Sequence, residues 1–159
     1  MNPRRIIACL DVRDGMVVKG VRFREHEVLG PVTDFAARYN DADELVIYDI
    51  GASPAGTTIA PDWIADLASA IDVPFCVAGG IRDVANAEAV LNAGASKISV
   101  NSPALERPEL LGELVAALGS ERVVVGIDSE AVPGDTWRIR SHTGSAETTK
   151  HLPLATLDW

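Results

Sequence analysis

Five short apolar runs constrain the fold of this chain more than any other feature of its sequence. They are RIIACLD (5–11), ELVIYD (44–49), PFCVAGG (74–80), KISVN (97–101) and RVVVGID (122–128). Each run is rich in β-branched residues and almost continuous rather than alternating, which is typical of parallel strands buried on both faces. Their apolar cores begin at Ile6, Leu45, Phe75, Ile98 and Val123, which are 23 to 39 residues apart. The sequence therefore predicts β-α units joined by right-handed crossovers.

Helical patterns fill the segments between the runs. PDWIADLASAI places apolar residues on one helical face, RDVANAEAVLNAG and RPELLGELVAALG each end in a glycine that suits a helix C-terminus, and PVTDFAARY opens with Pro31. Two α/β architectures fit this pattern, an open doubly wound sheet and a (β/α)8 barrel. A whole barrel needs about 250 residues. The chain has 159, enough for about four and a half βα units.

We expect one partial domain over residues 1–159, with strands one to five, and TWRIR as a short hairpin insertion after the fifth strand. A further helix is expected to begin at LPLATLDW, where the chain ends.

Composition excludes several classes of function. The net charge of −9 argues against binding to nucleic acid or to an anionic membrane surface. No apolar run approaches 18 residues and no signal-like segment opens the chain, so we expect a cytoplasmic protein. Cys9 and Cys76 lie in strand-like runs without CxxC or Cys/His spacing, which predicts buried free thiols and no metal site.

Aspartates stand at the ends of three predicted strands. Ligands of α/β proteins bind at the carboxyl ends of parallel strands, where Asp11, Asp49 and Asp128 are expected. In an eight-stranded ring the first and fifth strands lie on opposite sides, so Asp11 and Asp128 would face each other across the mouth. Two such carboxylates can divide acid and base roles. The alternative for any one of them is a turn or N-cap residue.

The third and fourth strands are followed by AGGIRD and VNSPA. Gly79 and Gly80 would let an anion approach the backbone, and Asn101 and Ser102 add side-chain donors. These loops therefore predict a phosphate site. The alternative for the glycine pair is a tight turn. Lys19 lies in MVVKG, a short strand-like stretch after Asp11. It is either a solvated lysine or a cation that a mobile loop brings over an anionic substrate.

The blocks RRIIACLDVRDGMVVKGVRF, DELVIYDIGAS, PFCVAGGIRD, SKISVNSPA and RVVVGIDS resemble, in order, the cyclase subunit of imidazole glycerol phosphate synthase of histidine biosynthesis. The resemblance implies a (β/α)8 TIM barrel, here truncated to a half-barrel. It implies a lyase that works with a glutaminase subunit and uses no cofactor. Ammonia from the glutaminase would convert a phosphoribulosyl-formimino aminoimidazole carboxamide ribotide to imidazole glycerol phosphate and aminoimidazole carboxamide ribotide.

The same resemblance assigns roles to residues. Asp11 and Asp128 match the two catalytic aspartates. Gly80, Asn101 and Ser102 match one of two substrate-phosphate sites, and Lys19 matches the lysine of a mobile first loop. Charged residues of the ammonia entrance at the opposite end match Arg5, Glu44 and Lys97.

The sequence also departs from the family pattern. Strands six to eight are absent, and with them the second phosphate site, so we expect the chain alone to be inactive. Its first and fifth strands would form open edges, which favours self-association. Two alternatives remain: the phosphoribosylformimino ribotide isomerase of the same pathway, and a non-catalytic, self-associating half-barrel.

Overall fold

The structure is a computed structural model that describes residues 4–21, 25–52, 59–133, 136–141 and 150–153. The described residues form ten strands: β1 (Ile7–Arg13), β2 (Met16–Val21), β3 (Glu25–Pro31), β4 (Glu44–Asp49), β5 (Phe75–Ala78), β6 (Lys97–Val100), β7 (Val123–Val125), β8 (Asp128–Val132), β9 (Thr136–Ser141) and β10 (Lys150–Pro153).

Helices connect most of the parallel strands. They are α1 (Val32–Ala36), α2 (Asp62–Ala70), α3 (Val84–Asn92), α4 (Ser102–Glu106) and α5 (Glu109–Leu118). Short 3-10 turns follow α1 (Ala37–Tyr39) and α5 (Ser120–Arg122). The predicted helices after the third and fourth strands stop before glycines with positive φ, 116° at Gly94 and 86° at Gly119, as their positions in the sequence predict.

The order of the strands decides between the two predicted architectures. The larger sheet runs β3-β2-β1-β4-β5-β6-β7, and β1, β4, β5, β6 and β7 pair in parallel. Each parallel strand therefore lies beside the one that precedes it among the parallel strands. A doubly wound sheet would reverse direction at a switch point, and these five strands contain no reversal. Their arrangement is that of successive strands of a (β/α)8 barrel.

The two faces of these parallel strands differ sharply. The outer face packs on the helices, with Leu45, Ile47, Val77 and Ile98 completely buried. Leu67 of α2 and leucines of α5 belong to the same apolar cluster. Each such side chain contributes about 1.5–3 kcal/mol on burial.

The inner face consists of the alternate residues, which strand geometry points to the other side. Its members are Ile7, Cys9 and Asp11 of β1, Glu44, Val46 and Tyr48 of β4, Cys76 and Ala78 of β5, Lys97 and Ser99 of β6, and Val124 of β7. Cys76, Ala78 and Ser99 in its middle are buried, whereas Ile7, Tyr48 and Val124 are about 40% exposed. The prediction that both cysteines are buried is therefore wrong for Cys9, which is exposed on this face.

The segment after β1 is a hairpin and not a loop. β2 pairs antiparallel with β1 and with β3, and Lys19 lies on β2 opposite Glu27. The strand-like pattern of MVVKG is thus confirmed, because its valines belong to the β2 ladder, and the role of Lys19 over an anionic substrate stays a prediction. The expectation that the first strand is an open edge is wrong only for the end of β1, where Val12 and Arg13 pair with β2. At the other side of the sheet β7 is an edge strand, as expected for the fifth parallel strand.

The fifth parallel strand is shorter than its apolar run. β7 ends at Val125, and Asp128 is the first residue of β8 in a second, antiparallel sheet of order β10-β9-β8. The predicted hairpin around TWRIR corresponds to β8 and β9. Leu152 and Pro153, predicted to begin a helix, lie in β10, and residues 154–159 of that predicted helix lie outside the described residues.

Candidate active site

The carboxyl ends of the parallel strands bring several predicted site residues to one edge of the inner face. Asp11 is exposed and lies two residues before the end of β1, because β1 continues into its pairing with β2. Its register partner on β4 is Tyr48, whose own partner on β5 is Ala78. A carboxylate, a phenol and a small side chain thus stand side by side across three neighbouring strands.

Asp128 reaches the same edge from the other flank of the sheet. The backbone N–H of Gly126 donates to the carbonyl of Val100 at 2.8 Å, which holds the β7–β8 connection against the end of β6. The side-chain amide of Asn101 donates to Asp128 Oδ2 at 3.1 Å. The structure therefore joins a predicted catalytic residue to a predicted phosphate-binding residue, a contact that spacing alone did not reveal.

Tyr48 lies between the two carboxylates. Burial is the largest cause that raises the pKa of its phenol, and electrostatic interactions with Cys9, Cys76, Asp128 and Asp11 raise it further. Both predicted catalytic aspartates therefore act electrostatically on one ring, although they belong to opposite flanks of the parallel strands. The phenol stays protonated through the neutral pH range.

The glycine pair after β5 has a structural role of its own. Gly79 has a φ of 109°, and a Cβ there would stand 2.3 Å from the carbonyl oxygen of Asp49. Asp49 in turn accepts the backbone N–H groups of Gly51 and Ala52 at 2.9 and 3.0 Å. The turn interpretation thus accounts for Asp49 and for the need for glycine at position 79.

The predicted phosphate loops lie beside this turn. Gly80 also has positive φ, 61°, and is buried, as is Ser102. At the start of α3 the backbone N–H of Asn86 is already bonded to the carboxylate of Asp83 at 2.8 Å. One backbone N–H group at the start of α3 is therefore already satisfied by the Asp83 cap.

Three predicted charges meet at the opposite, amino-terminal edge of the inner face. Glu44 is 4% exposed, and its carboxylate accepts from Arg5 Nη2 at 2.5 Å and from Lys97 Nζ at 2.9 Å on both oxygens. Burial alone would raise the pKa of Glu44, but hydrogen bonds and charges from Lys97 and Arg5 outweigh it and lower that pKa. Glu44 is therefore a buried anion held by two cations.

Lys19 is exposed and makes no ion pair with any other residue that the structure describes. Among those same residues, His, Cys, Asp and Glu form no group of three or more that could hold a metal ion. None of the helices in the described ranges is long and apolar enough to span a membrane.

Sequence reasoning missed Tyr48 as a member of this edge. The signal was present, because alternation along ELVIYD places Glu44, Val46 and Tyr48 on one face and Asp49 on the other. Asp49 was instead considered with the strand-end carboxylates. The Asn101–Asp128 hydrogen bond had no comparable signal, since it joins residues from different loops.

The chain was compared with known proteins. It is 58% identical over 161 residues to an imidazole glycerol phosphate synthase subunit HisF of Xanthomonas campestris pv. campestris (strain B100). This alignment covers 100% of the chain and 62% of the relative. Proteins of the same name from Xanthomonas euvesicatoria pv. vesicatoria (strain 85-10) and Xylella fastidiosa (strain M12) are 57% and 56% identical, with 62% and 63% of each relative covered. The chain thus spans less than two thirds of the length of these relatives.

The histidine biosynthesis protein family matches residues 5–156, nearly the whole chain. That match agrees with the barrel-type order of the parallel strands and with the resemblance seen in the strand-end motifs. The chain belongs to the histidine biosynthesis protein family.

Proposed function

We propose that this chain carries part of the active site of the cyclase subunit of imidazole glycerol phosphate synthase. In that reaction ammonia from a glutaminase subunit converts the phosphoribulosyl-formimino ribotide to imidazole glycerol phosphate and aminoimidazole carboxamide ribotide. The proposal is supported by the family match and by relatives that carry the name of this synthase. Those names favour the cyclase over the isomerase of the same pathway.

The observation that carries the proposal is the meeting of Asp11 and Asp128 around one ring at the carboxyl edge. We assign them the acid and base roles, which in enzymes typically contribute 10²–10⁴-fold to the rate. Their surroundings differ in a way that suits separate roles: Asp11 is exposed, whereas Asp128 is half-buried and accepts a hydrogen bond from Asn101.

Gly79, Gly80, Asn101 and Ser102 are proposed to hold a phosphate of the ribotide. Positive φ at both glycines turns the backbone at this edge, and Asn101 and Ser102 follow the neighbouring strand. In this arrangement Asn101 contacts Asp128 as well, so phosphate binding and the placement of a catalytic carboxylate depend on one side chain. Lys19 is proposed to approach the anionic substrate from the β2–β3 hairpin.

We propose that Arg5, Glu44 and Lys97 form the ammonia entrance and face the glutaminase subunit. They lie at the end of the inner face that is remote from Asp11 and Asp128. One anion shared by two cations keeps charged side chains in place with an excess of positive charge. Ammonia entering here would follow the inner face towards the carboxyl edge. The proposed chemistry needs no cofactor, and the cytoplasmic location stays a prediction.

The 159-residue chain alone is proposed to be inactive and to self-associate. One phosphate site cannot position a substrate with two phosphates, and positioning supplies about 7–11 kcal/mol in favourable cases. The exposed Ile7, Val124, Val125 and Ile127 near the parallel strands favour association of two copies. Light scattering at micromolar concentration is expected to show a dimer or larger particle, and a monodisperse 16.9 kDa monomer would contradict this part of the proposal.

A fusion tests the enzymatic proposal. The chain is joined to the segment of the Xanthomonas campestris relative that lies beyond the matched region, and ammonia-dependent consumption of the ribotide is measured. We expect turnover by the fusion and none by the chain alone. A folded fusion without turnover, under conditions in which the relative itself is active, would refute the proposed function.

A further inference from the structure

We propose that the ring of Tyr48 is the floor of the carboxyl-edge site and contacts the planar heterocycle of a bound ribotide. This inference rests on the proposed function for the class of ligand, and on the structure for the residue. It assigns a binding role to a side chain that the strand-end motifs did not single out.

The position of Tyr48 is fixed by the sheet. On β4 it stands in register with Asp11 on one side and with Ala78 on the other, and all three belong to the inner face. A ligand between Asp11 and Asp128 would therefore lie over the end of β4. Because the parallel ladder is continuous on both sides of Tyr48, the ring is held by rigid elements and not by a loop.

The neighbours of Tyr48 leave its ring open to a ligand. Ala78 is small, and the residues one step further towards the amino-terminal edge are Cys9, Val46 and Cys76. None of these register neighbours is a large side chain, and 42% of Tyr48 is exposed. Large exposed aromatic surfaces on a face that also carries converging polar groups are typical of ligand sites.

The charge around Tyr48 suits a neutral, flat ligand group. Burial and the carboxylates of Asp128 and Asp11 favour the protonated phenol, so the ring offers a π-face and an O–H donor at neutral pH. The two carboxylates would repel a second anion placed directly over the ring. A phosphate is therefore expected beside Gly80, Asn101 and Ser102, while the uncharged aminoimidazole carboxamide lies over Tyr48.

The test uses the full 159-residue chain labelled with ¹³C at the Cζ atom of tyrosine. The chain has two tyrosines, so Tyr39→Phe and Tyr48→Phe assign both resonances. Aminoimidazole carboxamide ribotide is the probe, because it has one phosphate and the proposed heterocycle. Inorganic phosphate is the comparison ligand, and Tyr39, exposed beyond α1, is the internal control.

We expect the ribotide to shift the Tyr48 resonance and to leave Tyr39 unchanged, and inorganic phosphate to shift neither. Tyr48→Leu should weaken ribotide binding about tenfold, the scale of one lost base–aromatic stack, and Tyr48→Phe should keep most of the affinity. Calorimetry of the same titrations measures these affinities.

Ribotide binding with an unmoved Tyr48 resonance would overturn the inference and leave the proposed function intact. A folded Tyr48→Leu variant that binds the ribotide as tightly as the wild-type chain would also overturn the inference and leave the proposed function intact. If the ribotide does not bind the wild-type chain at all, the inference is wrong, while the proposed function is decided separately by turnover of the fusion. The wild-type resonance shift decides the matter even if the leucine variant does not fold.

Discussion

The two faces of the parallel strands are formed by alternate residues of the same short runs, yet their surroundings differ. On β6 the outer Ile98 is completely buried in the apolar cluster, while the inner Lys97 reaches Glu44 and Ser99 lies near the middle of the polar face. On β4 the outer Ile47 is equally buried, while the inner Tyr48 is 42% exposed. A period of two therefore places stability on one side of a strand and chemistry on the other.

The two ends of the inner face also differ from each other. At the amino-terminal end the charges satisfy one another, since Glu44 is bound by Arg5 and Lys97. At the carboxyl end, two carboxylates and a protonated phenol converge. Paired charges suit the proposed ammonia entrance, which must keep its shape, whereas converging carboxylates suit the proposed active site.

Loss of a carboxylate at the carboxyl edge is expected to have the largest effect. In the fusion described above, Asp128→Asn should lower ammonia-dependent turnover by about 10²–10⁴-fold, because it removes a proton-transfer group. Ribotide affinity should change little, since the Asn101 contact can be kept by an amide. Asp66→Asn, on the exposed surface of α2, is the control, and equal losses in both variants would remove Asp128 from catalysis.

Two substitutions of aliphatic residues by alanine test whether the outer face contributes more than the inner face to the free energy of unfolding. Ile98→Ala on the outer face should lower the free energy of unfolding by about 2–5 kcal/mol, the usual cost of such a cavity. Val124→Ala on the inner face, where the valine is 39% exposed, should cost less than about 1 kcal/mol. Urea unfolding at one fixed protein concentration measures both, and similar costs would show that the faces are not distinct.

The burial of Cys76 on the inner face can be tested by the pH dependence of the free energy of unfolding, with the exposed Cys9 as the control position. Burial is the main cause that raises the pKa of Cys76 from 9.0 to about 12. Since the unfolded chain loses this proton first, stability is complete below pH 9 and falls as the pH rises towards 12, by about 4 kcal/mol. Cys76→Ala should abolish the decrease in the free energy of unfolding that the Cys76 thiol causes. The control variant Cys9→Ala, at an exposed position, should still show this decrease. Parallel stability curves for wild type and Cys76→Ala would contradict the assignment.

The cluster of Arg5, Glu44 and Lys97 is expected to contribute less than Cys76 to the pH dependence of the free energy of unfolding. Its contribution is lost at acid pH, whereas that of Cys76 is lost at alkaline pH. Glu44→Gln leaves Arg5 and Lys97 without their anion and should cost about 1–3 kcal/mol at pH 7. Because the pKa of Glu44 is lowered in the folded state, its contribution is present above pH 4.5 and is lost as the pH falls through that lowered value. The gap between wild type and variant should therefore narrow in acid, and a constant gap would argue against the ion pairs.

Much of this arrangement could be predicted from local sequence. β4 has the predicted limits, Glu44 to Asp49, because four apolar residues lie between these two charged residues. The helices before Gly94 and Gly119 end where those glycines allow a left-handed turn. Family resemblance, not periodicity, supplied the assignment of Arg5, Glu44 and Lys97 to one cluster, which the structure brings together.

Other features depend on contacts between distant segments. The pairing of β2 with β3 was not predicted, because β3 contains charged residues and a glycine that weaken its strand pattern. The end of β7 was placed too late because Gly126 and Ile127 continue an apolar run after the ladder has ended. Whether Cys9 is buried depends on what covers the inner face, which no local pattern contains.

The central claim is that the carboxyl edge of the inner face is a ribotide site and that the outer face and the amino-terminal edge are not. Backbone amide shifts of the ¹⁵N-labelled chain during titration with aminoimidazole carboxamide ribotide test it most directly. We predict saturable shifts at Asp11, Gly80, Asn101 and Asp128, with Glu44, Lys97 and the helices unchanged. Shifts confined to the amino-terminal edge or to the helices, or no saturable shift anywhere, would contradict the account.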